Sequence, residues 1–153
     1  EMLWASTMAG AAFNSASLGI CHSLAHALGG AFHLPHGRLN AILLPEVIRF
    51  NAGLEGYDSP ALPAAERYAA LAKACGLGAS NPRTGTRSLI SALVRCRERL
   101  DMPASLTAAG VEKRAVLDRL DTLAELALED VCTASNPRPA GLADLKKLLL
   151  DSI

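Results

Sequence analysis

Four stretches of this chain share one arrangement, in which apolar residues recur three and four apart and polar residues fill the gaps, with glycine or proline closing the first two. In "SPALPAAERYAALAKACGLG", Ser59 and Pro60 read as a helix entry, Tyr68, Leu71, Ala72 and Cys75 share a face, and Gly76 is a stop. In "TRSLISALVRCRERLDMP", Leu89, Leu93 and Val94 oppose Arg95, Arg97, Glu98 and Arg99, and the helix ends before Pro103. "VEKRAVLDRLDTLAELALED" reads as one further helix, with Val116, Leu120, Leu123 and Ala127 inside and Asp118, Asp121 and Glu125 outside. "GLADLKKLLLDSI" closes the chain with a short helix. Nowhere do apolar and polar residues alternate with period two between hairpin turns. The fold class is therefore all-α.

The first third differs in texture. From Ala5 to Leu28 the residues are small and apolar, which predicts one or two tightly packed, buried helices that Gly29 and Gly30 stop. Ala31 to Pro35 reads as a connection, and Arg38 to Asn51 as another helix that Pro45 should kink or restart and Asn51 and Gly53 end. Only Glu1, Arg38, Glu46, Arg49 and Glu55 are charged among the first 55 residues, so burial is expected here. A chain of 153 residues fits one domain. Its 15 basic and 15 acidic residues cancel, leaving no field to gather nucleic acid or an anionic membrane.

The cysteines are Cys21, Cys75, Cys96 and Cys132, without a CxxC pair, which argues against a zinc knuckle or disulfide scaffold and for a reducing, cytoplasmic setting. Cys21, Cys75 and Cys96 read as core thiols. No apolar run approaches about 18 residues and no basic segment leads into an apolar one, so neither a membrane span nor a signal peptide is expected. There is no internal repeat and no phosphate-cradling glycine motif. A chain beginning with Glu1 is expected to be part of something longer.

All 4 histidines fall between Gly19 and Pro45, in "GICHSLAHALGGAFHLPHGRLNAILLP". His22 and His26, at i and i+4, lie about 40° apart on one helix face with Cβ atoms roughly 6 Å apart, close enough to share a metal. His36 follows a loop and can bring a third imidazole back to them, while His33 is least constrained. Two packed, hydrogen-bonded core histidines are the alternative. "HSLAH" has Ser23 where a zinc protease needs glutamate, no GxSxG elbow occurs, and no acidic residue in the segment can orient an imidazole. A metal site usually also takes a carboxylate, so either Glu46 reaches the site or ligands come from outside this chain.

The pattern "GxxHxxAHxLGxxxxxPHGxxNAxLLPxVxxFN" resembles the C-terminal signature of the iron-activated (group III) alcohol dehydrogenases. "AGAAFNSASLGI" is similar to that family's lead-in helix, and "DVCTASNPRPAGLADLKKLL" to its terminal segment. The resemblance spans essentially the whole chain, the middle helices matching in pattern more than in motif. It implies residues 1–153 as an all-helical, metal-binding C-terminal domain of the dehydroquinate-synthase-like architecture. An N-terminal α/β dinucleotide-binding domain, absent from this chain, would be its partner. It also implies a metal held by an aspartate and three histidines. His22 and His36 match two of these, and a "DxxxH" segment preceding Glu1 would supply the others.

The same resemblance carries His26 over as a catalytic and cofactor-side residue beside the nicotinamide, in polar contact or proton relay. Phe13 and Cys132 match substrate-pocket positions, and His33 receives no role. Gly37 is read as allowing close helix approach beside the metal, Pro45 as a helix break, and Asn136, Pro137 and Arg138 as fixing the terminal loop. The implied reaction interconverts a primary alcohol and its aldehyde, with hydride passing to or from NAD or NADP and iron or zinc polarising the oxygen. The 153 residues alone are then expected to be inactive and, with an uncovered apolar face, able to form homo-oligomers. A non-catalytic helical module that binds metal or a protein partner is the alternative.

Overall fold

A computed structural model describes residues 1–56 and 60–153. Its helices are α1 (Met2–Ala16), α2 (Ile20–Phe32), α3 (His36–Asn51), α4 (Ala64–Ala74), α5 (Pro82–Arg99), α6 (Lys113–Asp118), α7 (Leu120–Glu129) and α8 (Leu142–Asp151), with a 3₁₀ turn at Thr133–Ser135. No strand occurs among the described residues, in agreement with the period-3.6 patterning. The expected entry residue Ser59 lies outside the described residues.

The main core forms where α2 and α3 meet α7 and α8, around Ile20, Leu24, Leu28, Leu39, Leu43, Val116, Leu123, Leu145 and Leu149. A second cluster joins Ile48 of α3 to Ala72 of α4 and to Leu89 and Ile90 of α5. Alanine and glycine let α4 and α5 come unusually close. A Cβ on Gly85 would sit 2.6 Å from Ala69 Cβ, far inside contact distance. The helix start at α5 follows from sequence: Pro82 takes the first turn and Asn81 Oδ1 accepts from the Thr84 amide at 2.8 Å.

Several expectations need correction. The small-residue run does not form a continuously buried pair, because α1 buries none of its residues and exposes Met2, Leu3, Trp4 and Met8. Gly29 and Gly30 do not stop α2. The helix runs on to Phe32 and stops at His33, which takes the left-handed conformation (φ 56°) and returns its amide to the Gly29 carbonyl at 2.9 Å.

α3 begins at His36 and passes through Pro45 without a break. Proline inside a helix costs about 3 kcal/mol. Leu43, Val47, Ile48 and Phe50 are buried around it, at roughly 1.5–3 kcal/mol each, which outweighs that cost.

The expected helix from Val111 to Asp130 splits at Arg119 (φ −113°, ψ 8°), yet Val116, Leu123 and Ala127 still face inward. On α4, Ala65 and Ala72 are buried and Tyr68 half-buried, while Leu71 and Cys75 point outward. Cys96 is exposed as well, so of the three expected core thiols only Cys21 is one.

The terminal loop is stapled as expected. Asn136 Nδ2 donates to Asn51 Oδ1 at 2.7 Å, Asn136 Oδ1 accepts from the Ile20 amide at 3.3 Å, and Arg138 donates to the Phe50 carbonyl at 2.7 Å. A Cβ on Gly19 would lie 2.7 Å from Asn136 Oδ1, so a side chain there would push aside the amide that staples the loop to the start of α2. Gly37 has no such reason, since a Cβ there meets nothing within 4 Å.

Candidate metal centre

Helical spacing sets His22 and His26 one turn apart on α2, and the left-handed residue His33 turns the chain so that α3 starts with His36 beside them. The ring centroids of His22 and His36 lie 5.2 Å apart, those of His26 and His36 5.2 Å, and those of His22 and His26 6.3 Å. Two imidazoles on one tetrahedral ion at about 2.1 Å place their centroids about 5 Å apart, a separation that His36 approaches with His22 and with His26, whereas His22 and His26 stand wider. His33 stays exposed in its turn, away from any such role.

Each side of the trio is held differently. Asn40, one turn along α3, places Nδ2 2.8 Å from His36 Nε2 and 3.2 Å from the His36 carbonyl, while its Oδ1 accepts from the Cys21 thiol at 3.3 Å. A metal on His36 therefore binds at Nδ1 or displaces this amide from Nε2. Burial pushes the Cys21 thiol up to about 12, so it stays protonated and serves as a donor rather than a ligand. Burial, with the neighbouring imidazoles of His36 and His26, lowers the His22 pKa, although Asp130 opposes the shift. His22 is thus neutral at pH 7, as ligation requires.

On the other side, His26 Nδ1 lies 2.8 Å from Asp130 Oδ2. Asp130 comes from the turn after α7, and its Oδ1 accepts from the Cys132 amide at 2.8 Å and from the Ser23 hydroxyl at 3.3 Å. Burial works against ionisation of Asp130, but the Cys132 amide and His26 outweigh it and hold its pKa below the usual range. Burial raises the Cys132 pKa, and Asp130 adds to the shift.

One nitrogen of His26, one oxygen of Asp130 and the Cys132 sulfur lie within 4.8 Å of one another. Hydrogen bonds already occupy both carboxylate oxygens, which accounts for the closeness without an ion. Nor is this a Ser–His–Asp triad: Ser23 is fully buried and donates to the carboxylate, not to the imidazole.

The structure thus brings His22, His26, His36 and Cys132 together. Phe13 is carried on α1 and remains 48% exposed. Glu46 pairs with Arg49 at 3.0 Å, ten positions along α3 from His36, and is not the carboxylate of the site. The carboxylate that sequence reasoning missed is Asp130. Its only signal was its place in "DVCTASNPRP", two residues before Cys132.

The whole chain, residues 1–153, matches the model of the Fe-containing alcohol dehydrogenase family, C-terminal. It is 42% identical over 158 residues to the bifunctional aldehyde-alcohol dehydrogenase AdhE of Escherichia coli K12, covering 97% of this chain and 18% of that protein. It is 37% identical over 148 residues to an NADPH-dependent butanol dehydrogenase of Clostridium saccharobutylicum, covering 97% of this chain and 36% of the relative. Among solved structures, a 1,3-propanediol oxidoreductase superposes with a TM-score of 0.85 at 31% identity, over 99% of this chain and 37% of the other. The chain therefore spans well under half the length of these relatives. With its all-helical fold and full-length match, this chain belongs to the iron-containing alcohol dehydrogenase family and corresponds to its C-terminal region.

Proposed function

We propose that the chain is the helical, metal-holding part of an enzyme that interconverts a primary alcohol and its aldehyde with NAD or NADP. The observation that carries this reading is the convergence of His22, His26 and His36 from α2 and α3 to centroid separations of 5.2–6.3 Å, in a chain matched to that family along its whole length. His22 and His36 hold a divalent ion, iron or zinc, which when bound supplies Lewis-acid polarisation of the alcohol oxygen. A neutral His22 keeps its lone pair free for this, and Asn40 sets the angle of the His36 ring. His26 stands beside them as the proton-relay group on the nicotinamide side, while Phe13 and Cys132 line the path of the substrate.

The remaining ligands and the dinucleotide belong, on this reading, to an α/β domain preceding these helices, so the 153 residues alone turn over no alcohol. Met2, Leu3, Trp4 and Met8, which α1 leaves bare, suit covering by that domain or self-association. Four free thiols suit a reducing cytoplasm, and no described helix is long and apolar enough to cross a membrane.

Metal analysis of the enzyme that carries this chain tests the assignment. His22→Ala and His36→Ala are expected to lose the metal, with affinity falling about a hundredfold or more, whereas His26→Ala retains it. Equal loss with all three would overturn it.

A further inference from the structure

Resting on the dehydrogenase reading, we propose that Asp130 is a positioning residue that fixes His26 as the Nδ1–H tautomer and so reserves its Nε2 lone pair for the proton of the reacting alcohol. An ionised carboxylate only accepts hydrogen bonds. At 2.8 Å from Asp130 Oδ2, His26 Nδ1 must therefore be the protonated nitrogen of the neutral ring. The other nitrogen is left as the acceptor.

The carboxylate is itself constrained. The Cys132 amide at 2.8 Å and the Ser23 hydroxyl at 3.3 Å both engage Oδ1, while Oδ2 faces His26 Nδ1 at 2.8 Å. Ser23 is fully buried, and Thr133 Oγ1 lies 2.8 Å from its hydroxyl. Thus α2, the turn after α7 and the 3₁₀ turn converge on a single carboxylate. A surface ion pair has no such backing, and Asp130 keeps its side chain 19% exposed while His26 keeps 45% of its own. That pattern suits a ring held on its inner nitrogen and open on the other. With a nicotinamide bound elsewhere in the enzyme supplying the hydride acceptor, His26 Nε2 would take the hydroxyl proton of the alcohol during oxidation and return it during aldehyde reduction, so charge and atoms balance.

The tautomer can be read directly by long-range nitrogen–proton correlation spectra of the 15N-labelled, metal-free chain at about pH 8, above the ordinary histidine range. His26 is expected as Nδ1–H in the native chain. Asp130→Asn, whose amide can donate to Nδ1, is expected to move it to Nε2–H with the helical circular dichroism unchanged. An Nε2–H ring in the native chain, or an Nδ1–H ring that persists in Asp130→Asn, would overturn the assignment. If the variant fails to fold, the native tautomer alone decides.

In the enzyme that carries this chain, Asp130→Asn is expected to lower kcat about a hundredfold or more, with KM for the alcohol and metal content little changed. A raised KM at unchanged kcat, or loss of the metal, would also overturn it. A native Nδ1–H tautomer in an enzyme that oxidises no alcohol would leave Asp130 in its positioning role and defeat only the dehydrogenase reading.

Discussion

The two sides of the imidazole trio are tethered by opposite chemistry. His36 is held by a neutral amide that is itself steadied by a thiol, through Asn40 and Cys21. His26 is held by an ionised carboxylate backed by a buried hydroxyl and a backbone amide, through Asp130, Ser23 and Cys132. A neutral donor is readily displaced by a cation, because giving up an amide hydrogen bond strands no charge. A carboxylate–imidazole bond is charge-assisted, about twice as strong, and fixes which nitrogen carries the proton. On the proposed reading, the contrast suits cation binding on one side and proton handling on the other, although all three ring centroids lie within 6.3 Å of one another.

The contrast requires Cys21 to remain a thiol, since a thiolate beside the trio would itself compete for a metal. With its pKa pushed up to about 12 by burial, Cys21 holds about a thousandfold less thiolate than an ordinary cysteine at neutral pH. Mapping sites of iodoacetamide modification on the native chain should show Cys75 and Cys96, both exposed, labelled first. Cys21 should lag by about a thousandfold or more, with Cys132 slow as well. Rapid labelling of Cys21 would break the comparison, because Asn40 would then be anchored on a reactive group.

How much of this was legible in sequence follows from the range of the interactions. The Asn81–Pro82 start of α5, the stop at Gly76 and the inward face of Val116, Leu123 and Ala127 depend on neighbours within a few residues, and periodicity shows them. The trio was legible for the same reason, as all its members lie within 15 residues. Asp130 was not, because it meets His26 across 104 positions, and no spacing rule reaches that far. Gly29 and Gly30 misled because a left-handed His33 stops α2 three residues later. The small residues of α1 carry no contrast between faces, so they could not show that the helix would stay bare while α2 was buried.

The amide side can be probed without touching a ligand. Removing the Asn40 side chain deletes both the contact to His36 and the acceptor for Cys21, and outer contacts of this kind typically tune metal affinity by about tenfold to a hundredfold. Asn40→Ala should weaken zinc or cobalt binding by about tenfold in the enzyme that carries the chain, whereas Ser23→Ala, on the carboxylate side, should leave it unchanged. Equal losses in titration calorimetry would mean that the two sides act as one ligand set.

The smallest expected difference is a separation of pH windows. The His22 pKa is lowered by burial and by the two neighbouring imidazoles from the ordinary 6.5, so the unfolded chain takes up this proton first. Above about 6.5 both states are neutral there and the group contributes nothing to the slope. As pH falls through 6.5 toward the lower folded value, the unfolded state gains protons and stability declines. Asp130 behaves oppositely in origin but not in sign: its pKa is held below the ordinary 3.8, so its contribution is present above that value and is lost only as pH falls further. Thermal unfolding of the metal-free chain should therefore show a modest fall in Tm between about pH 7 and 5 that His22→Asn flattens, and a second, steeper fall below about pH 4 that Asp130→Asn reduces. If His22→Asn left the upper slope intact, the lowered pKa would not be the source of the neutral, metal-ready imidazole, and the cation-binding side of the comparison would lose its electrostatic basis.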